Sequence, residues 1–360
     1  MGKRREWMQR RDMQSESGPE AVAVVGGGAW GTALALTALR AGRRVTLWAR
    51  EPEVVEAIER RRENPVFLPG VALPESLIAS DDLAEVCARA EAALLVVPSQ
   101  FLRAVAEQVE TVLPRGVPAI VCAKGIERET GLLMTQVVEQ AMPGRPLAVL
   151  SGPTFAAEVA ADQPTAVTLA TAEKDEETLA TQLAAALSTP TFRIYVSHDP
   201  VGVEVGGAVK NVIAIACGTA QGVGFGANTR AALITRGLAE IKRLAEALGG
   251  ARETVSGLAG LGDLTLTCSS EQSRNFSFGL GLGRGQTAEA LLAGRPAVVE
   301  GVVNAVTVTD LARKLGVELP ICEAVRAVVH EGQPIPEAMA ALLRRPLTRE
   351  QVTLDSPIAP

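Results

Sequence analysis

Lys210 stands in VEVGGAVKNVIAIACG, residues 203–218, where apolar and small residues recur at helical spacing and a lysine is out of place. An isolated ammonium taken out of water is costly unless it is paired or gives up its proton. The residue therefore has three readings: a stem along the helix with its head in solvent, a structural ion pair, or a lysine held in a pocket for its charge or its titratable proton. A second lysine, Lys124, lies in VCAKGIE, and Asp263 follows a run of glycines in GLAGLGDLTLTC. Two ammonium groups could converge on one anionic substrate, and the glycines let the chain around Asp263 approach closely. Ser273, Arg274 and Asn275 in SRNFSFG form a compact hydrogen-bonding triplet, and an arginine beside Ser and Asn suits a phosphate. Taken alone, the triplet reads equally as a polar surface loop with a flexible glycine tail.

The elements that must position these residues change character along the chain. From Ala21 to about Val196, short β-branched runs (AVAVVG, RVTLWA, AALLVVP, PAIVCAK, PLAVLSG, TAVTLAT and FRIYV) alternate with helical segments. Continuous apolar strands separated by helices predict a mainly parallel sheet covered on both faces. Lys124 then falls at the carboxyl end of one strand, and Gly152, Thr154 and Ala156 of LSGPTFAAEVA lie just beyond another. Ligands in open α/β sheets bind at that edge, although each motif alone could be a structural turn. From Asp199 the pattern turns helical over 199–221, 229–248, 301–316 and 320–330, with glycine-rich loops expected around Gly257–Gly262 and Gly279–Gly285. The expected division is a polar, disordered leader 1–20, a sheet domain 21–197, a helical domain 198–345 and a tail 346–360.

AVAVVGGGAWGTALALTALRAG reads as a strand, then Gly26-x-Gly28-x-x-Gly31, then a helix from near Ala29 to Gly42. Glycines allow the tight turn and a close approach of pyrophosphate, and the helix start offers free N–H groups, so a dinucleotide is expected here. The second strand ends in Arg50, where a protein selective for NAD usually carries Asp or Glu against the ribose. A guanidinium can bind a 2′-phosphate, which favours NADPH over NADH; Glu51 next to it works against that preference.

The 360 residues fit about two domains. With 35 basic and 41 acidic residues the net charge is -6, and no basic run is interleaved with aromatics, so no nucleic-acid partner is expected. Cys87, Cys122, Cys217, Cys268 and Cys322 form no C-x-x-C pair, which suggests reduced thiols and a cytoplasmic location. With His198 and His330 the only histidines, a metal site has poor raw material. The N-terminus has basic residues without an apolar segment of signal-peptide length, and no stretch reads as a membrane span; a start placed too far upstream would equally account for the leader.

Taken in order, GGGAWGTALA, NPVFLPG, VPSQ, CAKGIE, SGPTFAAEVA, GGAVKNVIAIACG, GLAGLGDLTLTC, SRNFSFG and VVEGV resemble the motif set of the bacterial-type NAD(P)-dependent glycerol-3-phosphate dehydrogenases, from roughly 21 to 340. The resemblance implies an N-terminal Rossmann-type doubly wound α/β domain and an all-α C-terminal domain like that of 6-phosphogluconate dehydrogenase, with the site between them. It implies an oxidoreductase that reversibly reduces dihydroxyacetone phosphate to sn-glycerol 3-phosphate with NADPH or NADH, for glycerophospholipid synthesis. It places Gly26, Gly28, Ala29, Trp30, Gly31, Arg50, Lys124, Ala156, Val298 and Glu300 at the cofactor, and Arg274 at both cofactor and substrate. Lys124, Gly152, Thr154, Lys210, Asp263, Ser273 and Asn275 match substrate positions, with Lys210, Lys124 and Asp263 as the catalytic group and Lys210 as proton donor and acceptor. Ala29 replaces a common serine and Thr154 stands where serine is frequent; the backbone N–H and the hydroxyl survive these changes.

In such a reduction the carbonyl oxygen gains negative charge and needs a cation and then a proton, and Lys210 can give both. Burial and a nearby Lys124 would lower its pKa, and a close Asp263 would raise it. Rival readings are a 3-hydroxyacid or sugar-acid dehydrogenase, a non-catalytic NADPH sensor, and a thiohemiacetal mechanism through Cys217 or Cys268, which read otherwise as small packing residues. The expected partner is a small molecule, with no membrane span, and a homodimer is the assembly to test.

Overall fold

A strand with no polar alternation cannot face water on either side, and Ala21–Val25 forms β1 with every residue buried. The computed structural model describes residues 18–172, 177–293 and 298–346, so most of the expected leader and tail lie outside the described residues. β1 sits inside an eight-stranded sheet of order β3-β2-β1-β4-β5-β6-β7-β8. The other strands are β2 (Arg44–Trp48), β3 (Ile78–Ser80), β4 (Ala92–Leu95), β5 (Ala119–Val121), β6 (Leu147–Ser151), β7 (Thr165–Ala170) and β8 (Phe192–Ser197). β1 to β6 pair in parallel; β7 is antiparallel to β6 and parallel to β8. Strand order reverses on either side of β1, which opens a crevice at the carboxyl ends of β1 and β4.

Successive strand residues point to opposite faces, so Val22 and Val24 join one apolar core with α1 (Ala29–Arg40), while Ala23 and Val25 join another with α2 (Met134–Ala141). This is the doubly wound, mainly parallel sheet that the sequence predicts. β3 is the strand it does not: three residues at the sheet edge are too short to show a period.

After Ser197 the described elements are helical. Asp199 caps α3 (Pro200–Val223) by accepting from Gly202 N, Pro200 occupies its first turn, and Gly224 ends it at φ 106°. By length and composition α3 could cross a membrane, which the sequence reading did not register; 89% of its most apolar window is buried inside the protein. It is the central post against which α4 (Ala227–Ala247), α5 (Asp263–Cys268), α6 (Arg274–Gly283), α7 (Glu300–Leu315) and α8 (Pro320–His330) pack.

Two expectations fail here. The segment expected as a glycine-rich loop at Gly279–Gly285 is mostly the second half of α6, because a Cβ at Gly279 or Gly283 would come within 2.1 Å of Ile215 O or 2.2 Å of Thr219 O. These glycines let two helix backbones touch, and that packing outweighs their cost to the helix. Likewise Asp263 begins α5 directly after a helical turn, Leu258–Gly262, instead of lying in an open loop.

Candidate active site

β5 delivers Lys124 three residues past Val121, at the carboxyl edge of the sheet, and α3 presents Lys210 toward the same place. Gly207, three residues before Lys210 on α3, lets them meet: a Cβ there would lie 3.3 Å from Lys124 Cγ. Asp263 bridges the two ammonium groups. Lys210 Nζ donates to Asp263 Oδ1 at 2.5 Å and to Thr267 Oγ1 at 2.8 Å, while Lys124 Nζ donates to Asp263 Oδ2 at 2.7 Å and to Gly152 O at 3.2 Å. The Asp263 side chain is 0% exposed, Lys210 7% and Lys124 14%. Of the three readings for Lys210, the solvent-seeking head is ruled out: the lysine is buried and ion-paired.

Thr267 was not singled out in the sequence. It lies four residues after Asp263, on the same face of α5, and its hydroxyl also reaches Asp263 Oδ1 at 3.3 Å. The DLTLT spacing carries that signal once Asp263 is assigned to a helix.

Burial drags the Lys210 ammonium down; Asp263 opposes this, Lys124 reinforces it, and the result is a pKa of about 8. Lys–Asp–Lys carries a net charge of +1, and of the three N–H donors on Lys210 two are engaged by Asp263 and Thr267. One donor remains for an incoming oxygen, on a group that exchanges its proton near neutral pH.

The SRN triplet splits into different jobs. Ser273 caps α6 by accepting from Phe276 N at 3.2 Å. Asn275 is buried and ties three helices together, donating to Asn211 Oδ1 at 2.9 Å and accepting from Gly301 N at 2.9 Å. Arg274 is exposed in the first turn of α6. Its charge, with Lys124 and Lys210, pulls on the Glu300 carboxyl, which burial nevertheless holds above its ordinary range. Glu300 opens α7 and also accepts the Ser99 N–H of the VPSQ segment after β4. Val298, two residues earlier, is exposed.

At the other end of the crevice, Gly26 has φ 133° and a Cβ there would meet Val96 O at 2.6 Å; one at Gly31 would meet Gly26 O at 1.8 Å. Both contacts demand glycine and fix the turn between β1 and α1. A dinucleotide fits what this turn leaves open. A Cβ on Gly28 would meet nothing within 4 Å, no side chain caps the α1 N-terminus, and Trp30 Nε1 is buried without a partner. Arg50 follows β2 with its side chain 72% exposed, and its Nε and Nη2 both donate to Glu51 Oε1, at 3.2 and 2.7 Å. Thr154 donates to Gly152 O at 3.3 Å, and Ala156 opens a short helix, Ala156–Ala160. All five cysteines are buried and unpaired. A groove of about 1330 Å³ is lined by Phe225, Leu233, Ile321 and Leu343 at the far end of α3 and contains neither Lys210 nor the glycine turn.

A family model described as the N-terminus of NAD-dependent glycerol-3-phosphate dehydrogenase matches residues 21–177, and one described as its C-terminus matches residues 199–340. A glycerol-3-phosphate dehydrogenase of the NAD(P)+ kind from Rhodospirillum rubrum is 55% identical over 329 residues, 91% of this chain and 93% of the relative. One from Caulobacter vibrioides is 54% identical over 331 residues, 92% and 99% of the two chains. The solved glycerol-3-phosphate dehydrogenase of Coxiella burnetii matches with a TM-score of 0.86 at 39% identity, covering 91% of this chain and 99% of that one. D-mandelate dehydrogenase with NADH, at 16% identity and a TM-score of 0.59, shares the fold alone.

Proposed function

The chain belongs to the family of NAD-dependent glycerol-3-phosphate dehydrogenases, and on that premise we propose how its own residues carry out the reversible reduction of dihydroxyacetone phosphate to sn-glycerol 3-phosphate. The observation that carries the proposal is the buried Lys124–Asp263–Lys210 bridge at the carboxyl edge of the sheet. NAD(P)H, when bound, supplies the hydride. Gly26, Gly28, Ala29, Trp30 and Gly31 form its cradle, with Ala156, Val298, Glu300 and Lys124 around it. Arg50 turns from Glu51 to the 2′-phosphate, so NADPH is preferred.

Lys210 uses its free N–H to hold the carbonyl oxygen, steadies the charge that grows there and then gives up the proton; in the reverse direction the neutral amine takes it back. Asp263 and Thr267 fix the ammonium so that this third hydrogen has one direction. Lys124 polarises and positions the ketone beside Gly152 and Thr154. Arg274, at the positive end of α6 with Ser273 and Asn275, receives the phosphate. Residues 21–197 thus form most of the cofactor cradle and hold the ketone through Lys124, and 198–345 supply the proton-donating lysine, the phosphate site and the Val298–Glu300 side of the cofactor. We further assign the enzyme to the cytoplasm and to glycerophospholipid synthesis, acting as a homodimer, which light scattering checks.

Oxidation of NADPH and of NADH, followed with dihydroxyacetone phosphate and with unphosphorylated dihydroxyacetone, tests the reading. It requires fast turnover with the phosphate ester and NADPH; equal rates with both ketones would leave Arg274 without its role.

A further inference from the structure

We propose that Glu204 is a positioning residue for this reaction: its buried carboxylate ties α3 to the first turn of α2 and so sets Lys124 against Lys210. The proposal rests on the roles given to the two lysines above.

Glu204 lies six residues before Lys210 on α3, a rise of about 9 Å along the same helix. It is 4% exposed, and the other buried residues of α3 from Gly202 to Val209 are apolar or small. Both of its oxygens are used across the boundary between the helical part and the sheet part. Oε1 accepts from Thr135 N at 2.8 Å and Oε2 accepts from Thr135 Oγ1 at 2.6 Å, and the Met134 N–H also donates to it. These are orphan groups of the α2 N-terminus, where a negative charge is favoured.

The link to chemistry is the short segment between Lys124 and α2. It leaves β5 with Lys124 and turns back on itself through the Ile126–Leu133 bridge. Gln100 holds it from outside, donating to Ile126 O at 2.9 Å and accepting from Arg128 N at 3.1 Å. Ile126 and Leu133 bury their side chains in the same core as Val205 and Val209 of α3. The segment thus has two anchors on α3: apolar packing, which has no fixed register, and the Glu204 carboxylate, which has one. Burial pushes the Glu204 carboxyl up to about 7, so the position costs stability that an apolar residue would not. A packing role alone does not account for an acid there; a fixed register between the helix of Lys210 and the loop of Lys124 does.

A double-mutant cycle between Glu204→Ala and Lys124→Ala tests this, with kcat for dihydroxyacetone phosphate and the NADPH dissociation constant by fluorescence titration as separate readouts. Glu204→Ala should lower kcat about tenfold or more and weaken NADPH binding far less, because Lys124 is one of several groups around the cofactor and the glycine turn is held by other contacts. Glu204→Gln, which keeps an acceptor for the Thr135 N–H, should recover much of the loss. In the Lys124→Ala background Glu204→Ala should cost less than about threefold further, since the group it positions is gone. Losses that multiply independently, or an NADPH affinity that falls in step with kcat, would overturn the proposal. Should Glu204→Ala fail to fold, Thr135→Val removes one of the same hydrogen bonds and takes its place in the cycle. Full activity of Lys124→Ala alone would instead count against the role given to that lysine, and so the two failures are distinguishable.

Discussion

Lys210→Met is the perturbation that separates chemistry from structure at this site. Methionine keeps an unbranched stem and a good helix former, and it removes the charge and the proton. Loss of proton transfer alone should lower kcat by about 10² to 10⁴, or roughly 3 to 5 kcal/mol of barrier, with more to come from the lost charge on the oxyanion. Stability should hold or rise. The bridge of two lysines and one aspartate carries +1, and without Lys210 the Lys124–Asp263 pair is left neutral with its 2.7 Å contact intact. The fall of the Lys210 pKa from 10.5 to about 8 corresponds to roughly 3 kcal/mol of unfavourable burial at neutral pH. The sign follows from proton counting: between about 8 and 10.5 the unfolded chain binds the proton that the folded protein has released, so this group makes stability rise with pH in that window. The variant should lack that rise in urea titrations. In catalysis, ketone reduction needs the ammonium, so kcat/KM should fall as pH climbs through about 8, while alcohol oxidation needs the amine and should rise through the same point. Both limbs should vanish in Lys210→Met. Turnover within about tenfold of wild type, or limbs that persist near pH 8, would refute the assignment of Lys210 as proton donor.

Arg50→Asp should weaken NADPH far more than NADH in fluorescence titrations, by repulsion as well as lost hydrogen bonds; an unchanged ratio removes Arg50 from 2′-phosphate recognition. Arg274→Ala should raise KM for dihydroxyacetone phosphate and matter much less for dihydroxyacetone; equal losses would move it to the cofactor or to folding. Asp263→Asn leaves two buried ammonium groups without their carboxylate and should cost about 3 to 5 kcal/mol of stability. It should also shift the Lys210 limb to lower pH, and a limb that stays at 8 or moves upward contradicts the charge balance described here.

What could be read from the sequence divides along physical lines. The β1–turn–α1 unit was legible because strand, glycine spacing and helix follow in immediate succession, although the Val96 contact that demands Gly26 is remote; α3, α7 and α8 were legible from their apolar periods and proline or glycine ends. Lys210 was legible as a charge in an apolar helix, Lys124 by its place at the carboxyl end of a strand, and Asp263 by the glycines before it. That one carboxylate serves both lysines was not, since the pairs are separated by 139 and 53 positions. α6 was misread because glycine is a poor helix former in isolation, and only the backbone of α3 explains it. Glu204 sits inside the stretch that draws attention to Lys210, yet its partner Thr135 is 69 positions away and gives no local sign.

On the role proposed for Lys210, the same geometry gives a reason for one carboxylate shared by two lysines. A reversible reaction needs one group that is an acid in one direction and a base in the other, with both forms present at a single pH. A lysine left at 10.5 would be neutral in only about one molecule in a thousand at pH 7.5. Full burial without a counter-charge would depress it far enough to lose the ammonium instead. Burial and Lys124 push down while Asp263 pulls upward, and at a pKa of about 8 both the ammonium and the amine are accessible near neutral pH. Asp263 would do this less well if it belonged to Lys210 alone, because an exclusive pair would favour the charged form more strongly. Sharing its second oxygen with Lys124 restrains that pull, and the same contact holds Lys124, from the sheet, against Lys210, from α3.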